Sequence, residues 1–220
     1  VYGKEAAFTG YNKIYIALRD SITNDFVESA EIKLAPKMQM ATMSHAAPFE
    51  NPAGTTAVDK LFPATVSFIM PSSTGTWTLG VQVQNLANNK TGTADVAIEV
   101  KDPTPARMFS FESPVDSGKY FVGFIPPANP TTGLNDFEFV VYKKASMMMF
   151  PADSSMTVTF EPEMPTMNHG SPNNEQPVHV GRGHYKGKVN FSMPGLWRMH
   201  MEFKSDGQVV DSTHYFDFTL

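Results

Sequence analysis

The chain has 220 residues, of which 41% are hydrophobic and 18% charged, and its formal net charge is −5. This composition predicts a soluble globular protein with enough apolar side chains for two ordinary cores. Lysine and arginine never occur in runs, which argues against a phosphate-tracking surface and therefore against a nucleic-acid partner. The absence of cysteine excludes disulfides, thiolate zinc sites and blue-copper centres that need a cysteine ligand.

Membrane-targeting signals are also lacking in the sequence. The longest apolar stretches are strand-sized, and residues 1–20 contain no basic region followed by an apolar one. We therefore expect no transmembrane segment and no signal peptide in this chain. The start at Val1 suggests a trimmed mature form, with a lipid anchor upstream of Val1 as one option.

A nine-residue pattern, Met-x-Thr-Met-x-His-x-x-Pro, occurs at residues 40–48 and again at residues 164–172. Other landmarks return at nearly the same spacing, namely Thr-Gly-x-Asn, Phe-x-Met-Pro and a tryptophan. The repetition predicts two tandem copies of one domain, residues 1–103 and 104–220. The joint falls within residues 101–106, where two prolines favour an extended spacer.

Alternation of apolar and polar residues is the dominant periodicity in both copies. The predicted strands are residues 14–18, 65–68, 77–83 and 96–100 in the first copy, and 137–141, 188–191, 197–203 and 214–220 in the second. Helical spacing is nowhere sustained, and prolines and glycines punctuate the alternating runs. The sequence thus predicts an all-β protein made of two tandem immunoglobulin-like antiparallel β-sandwiches, with Trp77 and Trp197 in the cores.

The repeated methionine–histidine pattern suggests a metal site in the second copy. Thioether sulfur suits Cu(I), and imidazole suits copper in either common oxidation state, so Met164, Met167 and His169 form a candidate copper set. We expect these residues at the end of a strand that finishes near Phe160, where loops converge. Met193, before Pro194, could complete the set.

The alternative is that these methionines are adaptable packing residues, with Met43 and Met167 plugging the open ends of the sandwiches. Neither a His-x-His sequence nor a dense Met-x-x-Met array makes the metal interpretation specific. Ten of the 14 methionines and five of the six histidines lie at or after Met108. Any ligand chemistry is therefore expected to concentrate in the second copy.

Three further features carry histidine or methionine. His179 and His184 lie five residues apart across two glycines and could meet on one side of a hairpin as weaker metal candidates; alternatively they belong to an exposed turn with local hydrogen bonds. His200 should face solvent and His214 should be a satisfied core histidine. The Met147–Met149 run is expected to be an ordinary strand end or turn.

Signatures of catalysis are missing. A nucleophile elbow, a phosphate-binding loop, an HExxH helix and a nucleotide fingerprint are all absent from the sequence, and acidic residues are scattered singly. We therefore expect a protein that is not an enzyme.

Several of these motifs resemble the YtkA-like and FixH-like family of bacterial extracytoplasmic domains. The resemblance rests on Gly133-Leu-Asn135, the Met164–Gly170 turn, Gly183-His-Tyr185-Lys-Gly187 and Met193-Pro-Gly195-Leu-Trp197. It covers about the last 90 residues of the second copy. The first copy departs from it, with Leu61-Phe-Pro63 in place of Gly-x-Tyr.

The resemblance implies an immunoglobulin-like or cupredoxin-like sandwich without a built-in cofactor, located outside the cytoplasmic membrane. It also implies, through the FixH-like members, a link to copper supply, with a copper-requiring envelope protein or an oxidase assembly factor as partner. The sequence therefore leaves two hypotheses: a periplasmic or envelope-associated Cu(I)-binding protein, and a structural or protein-interaction module of the cell envelope that binds no metal.

Overall fold

The computed structural model describes residues 1–3 and 5–220. It contains two compact units, the first made of Val1–Asp102 with Ser146–Phe150 and the second made of Pro103–Ala145 with Pro151–Leu220. The segment Ser146–Phe150, which the sequence analysis placed in the second copy, groups with the first unit because it contacts it directly. The Ala46 N–H, for example, donates to the carbonyl oxygen of Met147 at 2.9 Å.

The first unit is a sandwich of two four-stranded antiparallel sheets, ordered β1-β2-β6-β5 and β4-β3-β7-β8. Its strands are β1 Tyr2–Gly3, β2 Gly10–Ile16, β3 Ala30–Gln39, β4 Ser44–Ala46, β5 Phe49–Glu50, β6 Phe62–Phe68, β7 Thr76–Asn85 and β8 Thr91–Ile98. A single 3₁₀ turn, Ser72–Thr74, is the only helical element described in this unit. Trp77, Phe62 and Phe68 are fully buried between the sheets.

The second unit repeats this arrangement with two five-stranded sheets. One sheet has the order β14-β15-β11-β10-β9; in the other, the order is β13-β12-β16-β17, and β18 also pairs with β16. The strands are β9 Met108–Glu112, β10 Lys119–Ile125, β11 Gly133–Lys143, β12 Thr157–Met164, β13 His169–Gly170, β14 Glu175–Gly181, β15 His184–Phe191, β16 Leu196–Ser205, β17 Gln208–Asp211 and β18 Tyr215–Thr219.

The predicted all-β, immunoglobulin-like sandwich fold is confirmed, and alternation explains it. In β16, Trp197, Met199, Met201 and Phe203 point into the core, whereas Arg198, His200 and Glu202 face outward. The most regular alternation of all, in β3, was not predicted as a strand. Every second residue of β3 from Ala30 is buried, although Pro36 lies within it.

One strand boundary differs from the prediction in a way that affects the site. β12 does not finish near Phe160 but continues to Met164. Pro162 suggests a strand end because proline cannot donate a backbone hydrogen bond. It nevertheless keeps its place opposite Met199, and the pairing with β16 runs on to Glu163. Met164 is therefore a strand residue with a fixed facing, not a loop residue.

Among the described residues, no helix has the length and apolarity needed to cross a membrane.

Candidate soft-metal site

Three side chains lie in a row across the second unit. His169 on β13 is paired directly with Met164 on β12. On the other side of β12, the pairing of Glu163 with Arg198 brings Trp197 beside Met164. Directly paired residues of antiparallel strands point to the same face of a sheet. We call His169, Met164 and Trp197 the second row.

The first unit contains the corresponding first row, made of His45, Met38 and Trp77. Met38 is paired with His45 on one side and with Trp77 on the other. The sequence pattern aligned Met40 with Met164, but strand pairing makes Met38 the structural counterpart. The connection from this methionine to the histidine is two residues longer in the first unit. Spacing along the sequence therefore matches Met164 with Met40, two positions after Met38.

Each histidine meets its tryptophan edge-on. The ring centroids of His169 and Trp197 are 5.7 Å apart with an interplanar angle of 78°. For His45 and Trp77 the values are 5.2 Å and 81°. The two rows therefore share both the order of their residues and the packing of their rings.

Each of these histidines also has one nitrogen without a partner. The Nδ1–H of His169 donates to the carbonyl oxygen of Gly170, and that of His45 to the carbonyl oxygen of Ala46, both at 2.9 Å. A carbonyl oxygen can only accept, so the neutral ring carries its hydrogen on Nδ1 and a lone pair on Nε2. Both Nε2 atoms are buried and have no hydrogen-bond partner. A buried acceptor without a partner costs about 1–3 kcal/mol. Histidines that bind a metal through one ring nitrogen usually donate the other N–H to a carbonyl or carboxylate oxygen, as both of these rings do.

A second methionine lies next to each row. The indole Nε1–H of Trp197 donates to the carbonyl oxygen of Met193 at 3.0 Å, and that of Trp77 to the carbonyl oxygen of Met70 at 2.8 Å. Met193 is partly buried against the core that contains Met164. The hydrogen bond therefore anchors a second thioether residue beside each tryptophan.

The methionines of the pattern differ sharply in exposure. Met164 is only 2% exposed. It lies beneath Gly195, where an added Cβ would approach the Met164 Cε to 3.1 Å, and the Gly195 φ of +138° also disfavours a side chain. Met167 is 58% exposed, and Met43 is exposed as well. The idea that Met43 and Met167 plug the sandwich ends is therefore wrong; Met38 and Met164 are the buried pair.

The second candidate pair, His179 and His184, does not come together. Tyr185 points into the core, so its neighbour His184 points to the opposite face of the sheet, where its Nδ1 bonds the Glu138 carboxylate at 2.7 Å. Burial opposes ionisation of Glu138, but His184 and the nearby charge of Lys186 outweigh it and lower the pKa of this carboxyl.

His179 is paired with Tyr185 and contacts its ring at 5.3 Å, so it lies on the core side of the edge strand. Its Nε2 accepts the Gly183 N–H at 3.3 Å. The two histidines therefore lie on different faces and in different hydrogen bonds. His179 is exposed and bonds locally, as the exposed-turn alternative predicted, whereas His184 is a partly buried strand residue whose partner, Glu138, lies on the neighbouring strand β11.

The remaining features have local partners. His200 is exposed and its Nε2 lies 2.6 Å from Glu163, as expected for a solvent-facing residue. His214 is bonded to Asp211 at 2.9 Å and stacked on Phe109 at 4.6 Å, so it is satisfied as predicted, but it is only half-buried and does not lie in the core. The exposed Met147–Met149 run forms a turn closed by the Ser146 N–H donating to Met149.

The donor set of the second row fits a soft metal better than a hard one. Within residues 1–3 and 5–220, no three His, Asp or Glu side chains are grouped so as to hold a metal. The row and its neighbour contain one imidazole with a free Nε2, the strand-paired Met164, and Met193, whose backbone carbonyl binds Trp197. This combination matches the ligand preference of Cu(I) and not that of zinc, calcium or magnesium. Sequence reasoning missed Trp197 as part of the site, although its position after Met-Pro in both copies was a signal.

Fold and site together define an all-β protein of two immunoglobulin-like sandwiches with a histidine–methionine–tryptophan row in each unit. Residues 115–202 match the sequence model of the YtkA-like family, which supports the resemblance for the second unit. No curated protein matches the chain.

Solved structures that resemble the chain share little sequence with it. Domains 5–6 of the S-layer protein SbsC align with 12% identity and a TM-score of 0.34, covering 99% of this chain and 92% of that chain. FdeC, an adhesin of Escherichia coli, aligns with 16% identity and a TM-score of 0.29, covering 98% of this chain and 60% of that chain.

Proposed function

We propose that this protein is a non-enzymatic, extracytoplasmic binding protein that holds Cu(I) in its second unit. The observation that carries the proposal is the buried, partnerless Nε2 of His169, on a ring whose Nδ1–H is already donated to Gly170. A Cu(I) ion bound at Nε2 would relieve the cost of the orphaned lone pair.

The thioethers supply the rest of the site. Met164 lies beside His169 in the row, and Met193 is held next to Trp197 by the indole hydrogen bond. Thioether and imidazole ligands bind Cu(I) without needing a carboxylate. Met167 lies outside the row and is exposed, so it contributes less in this proposal than the sequence pattern suggested.

An extracytoplasmic location is proposed on the match to the YtkA-like family, which the sequence resemblance describes as a family of domains outside the cytoplasmic membrane. The periplasm or the outer face of the envelope suits a carrier that delivers copper to a copper-requiring envelope protein. A copper-dependent oxidase or its assembly factor is the partner that the FixH-like resemblance would suggest.

A second candidate function is a structural or interaction module of the envelope. The observation that favours it is the burial of Met164 beneath Gly195, because a methionine that fills space there needs no metal. In that case the rows stabilise the sandwiches and the histidine nitrogen is simply an unsatisfied acceptor.

A competition titration separates the two functions. The metal-free protein is titrated with Cu(I) against a chelator under reducing conditions, alongside His169→Ala and the matched variant His45→Ala. We expect one tightly bound equivalent, retained by His45→Ala and lost by His169→Ala, with circular dichroism confirming that both variants are folded. Failure of the wild-type protein to take Cu(I) from the chelator would leave the structural module as the function.

A further inference from the structure

The first unit contains a run of three methionines that the proposed site of the second row does not use. Met147, Met148 and Met149 belong to the segment Ser146–Phe150, which groups with the first unit. Their exposed fractions are 36%, 53% and 59%. Methionine usually fills gaps inside a core, and at this exposure none of the three side chains does so.

The run forms a turn, which changes what its side chains can do together. The Ser146 N–H donates to the Met149 carbonyl oxygen at 3.1 Å, and the Met148 N–H donates to the Ser146 Oγ at 3.2 Å. In a strand, successive side chains point to opposite faces, so three in a row could not bind one ion. A turn does not impose this alternation. We call Met147, Met148 and Met149 the methionine turn.

The backbone of the methionine turn is held in place. The Met147 carbonyl oxygen accepts the Ala46 N–H of β4 at 2.9 Å, and Phe150, which follows the turn, is buried. The three side chains therefore start from fixed positions, with neighbouring Cα atoms about 3.8 Å apart. Each side chain has three rotatable bonds beyond that point, so the sulfur atoms can adjust to a shared ligand.

Methionine is an unusual residue type for such a turn. Glycine, proline, asparagine, aspartate and serine dominate turns, because they suit the backbone geometry or bond it locally, and here only Ser146 follows that preference. Three large apolar side chains at exposed positions also forgo the free energy that burial would give. A departure from local preference without a gain in packing is expected at functional positions.

The side chains of the methionine turn suit a soft monovalent cation. They offer uncharged thioether sulfur, and residues 143–150 contain two lysines and no carboxylate. Calcium and magnesium require oxygen ligands, and zinc prefers thiolate, imidazole or carboxylate. Cu(I) accepts thioethers, and Ag(I) is a similarly soft monovalent ion.

We propose that the methionine turn is a second soft-metal site, which binds one Cu(I) or Ag(I) ion through thioether sulfur alone. The site shares no ligand with the second row, so it stands whether or not His169 binds a metal. Binding must order three flexible side chains, which costs conformational entropy. Its affinity is therefore about tenfold or more below that of a site with buried ligands.

The first test observes the methionine methyl groups directly. His169→Ala protein with ¹³C in its methionine ε-methyl groups is titrated with Ag(I) in chloride-free buffer and followed by two-dimensional NMR. We expect the signals of the methionine turn, assigned by single Met→Leu variants, to shift together and saturate together. Met43 is 50% exposed but lies outside the turn, so its signal should not change. Unshifted turn signals, or an equal shift of Met43, overturn the proposal.

The second test removes the sulfur atoms. Leucine keeps the volume of methionine without its sulfur, so the triple variant with Met147→Leu, Met148→Leu and Met149→Leu should remain folded, which circular dichroism checks. In a competition titration with Cu(I), the wild-type protein should bind a second, weaker equivalent that the triple variant lacks. Met43→Leu is the matched control and should keep it.

The two metal proposals fail separately in these titrations. If the triple variant binds as many Cu(I) ions as the wild-type protein, the methionine turn is not a metal site, and its exposed side chains are left as an apolar contact surface. If instead the triple variant loses the tight equivalent and His169→Ala retains it, the methionine turn is the main site and the proposed function of the second row is wrong.

Discussion

The two sandwiches carry the same row of side chains but expose it to different degrees. His45 is 2% exposed, whereas the ring of His169 is only half-buried. Ring packing, indole hydrogen bond and orphaned nitrogen are otherwise alike in the two units. The shared contacts indicate that the row itself is part of how each sandwich packs, and the Nε2 atoms of both histidines are buried although His169 as a whole is more exposed than His45.

The strongest test of the shared row is removal of its tryptophans. Both are completely buried, so Trp77→Ala and Trp197→Ala should each reduce the free energy of unfolding by about 3–5 kcal/mol. Urea-induced unfolding of the full chain, with the unit identified by hydrogen exchange, measures both. Leu134→Ala, at an exposed site, is the control and should cost under about 0.5 kcal/mol. A loss below about 1 kcal/mol for either tryptophan would show that the rows are not equivalent core elements.

A smaller effect is expected at two asparagines at equivalent positions, Asn12 in β2 and Asn135 in β11, that close the loop before these strands. Asn12 bonds the backbone of Phe8 and Gly10, and Asn135 bonds that of Thr131 and Gly133 in the same manner. Replacing either by alanine leaves buried backbone groups unpaired, so each variant should lose about 2–3 kcal/mol. Thermal unfolding measures the loss. Unequal losses, differing by more than about 1.5 kcal/mol, would indicate that the correspondence of these loops is superficial.

Alkaline pH should distinguish the units. Burial raises the pKa of Tyr185 to about 12, with a further contribution from Asp153, whereas Phe62 stands at the corresponding position of the first unit. Because the folded state holds this tyrosine proton more tightly than the unfolded chain does, the contribution to stability is fully present below pH 10. The free energy of unfolding then falls by on the order of 2 kcal/mol as pH rises towards 12. The Tm of the second unit should therefore fall between pH 10 and 12.

The variant Tyr185→Phe should flatten that decline, leaving the part due to Tyr120, whose pKa burial also raises to about 12. The first unit serves as the internal control and should change less over the same range. An identical alkaline decline in wild type and variant would exclude Tyr185 as its source.

The smallest effects on stability are expected at the methionines. Met167→Leu keeps volume at an exposed site and should change the free energy of unfolding by under about 0.5 kcal/mol, and Met164→Leu in the core by under about 1.5 kcal/mol. Their Cu(I) affinities should diverge, because only Met164 lies in the row. If Met167→Leu loses more Cu(I) affinity than Met164→Leu in the chelator competition, the site lies in the exposed turn and not in the row.

Local pattern was enough to predict the sandwich fold, because alternation reports directly which side of a strand is buried. Trp197, Met199 and Phe203 show this clearly. It also predicted that the methionine–histidine pattern lies near a strand end. It could not predict that β12 passes through Pro162, because the pairing with β16 overrides the local preference of proline.

The pairing between strands was the second feature that the sequence could not predict. That Met38, and not Met40, is the counterpart of Met164 depends on the pairing of β3 with β4 and β7. The separation of His179 from His184 depends on the facing of Tyr185. Neither can be read from spacing along the chain, since both are set by residues far away in sequence.

The central claim is that His169 and neighbouring thioethers together bind Cu(I). X-ray absorption spectroscopy at the copper edge, on protein loaded with one equivalent of Cu(I), tests the ligands directly. We expect a first shell of mixed nitrogen and sulfur that loses its nitrogen in His169→Ala and part of its sulfur in Met164→Leu. A shell of nitrogen and oxygen alone, or one unchanged by both variants, would contradict the account.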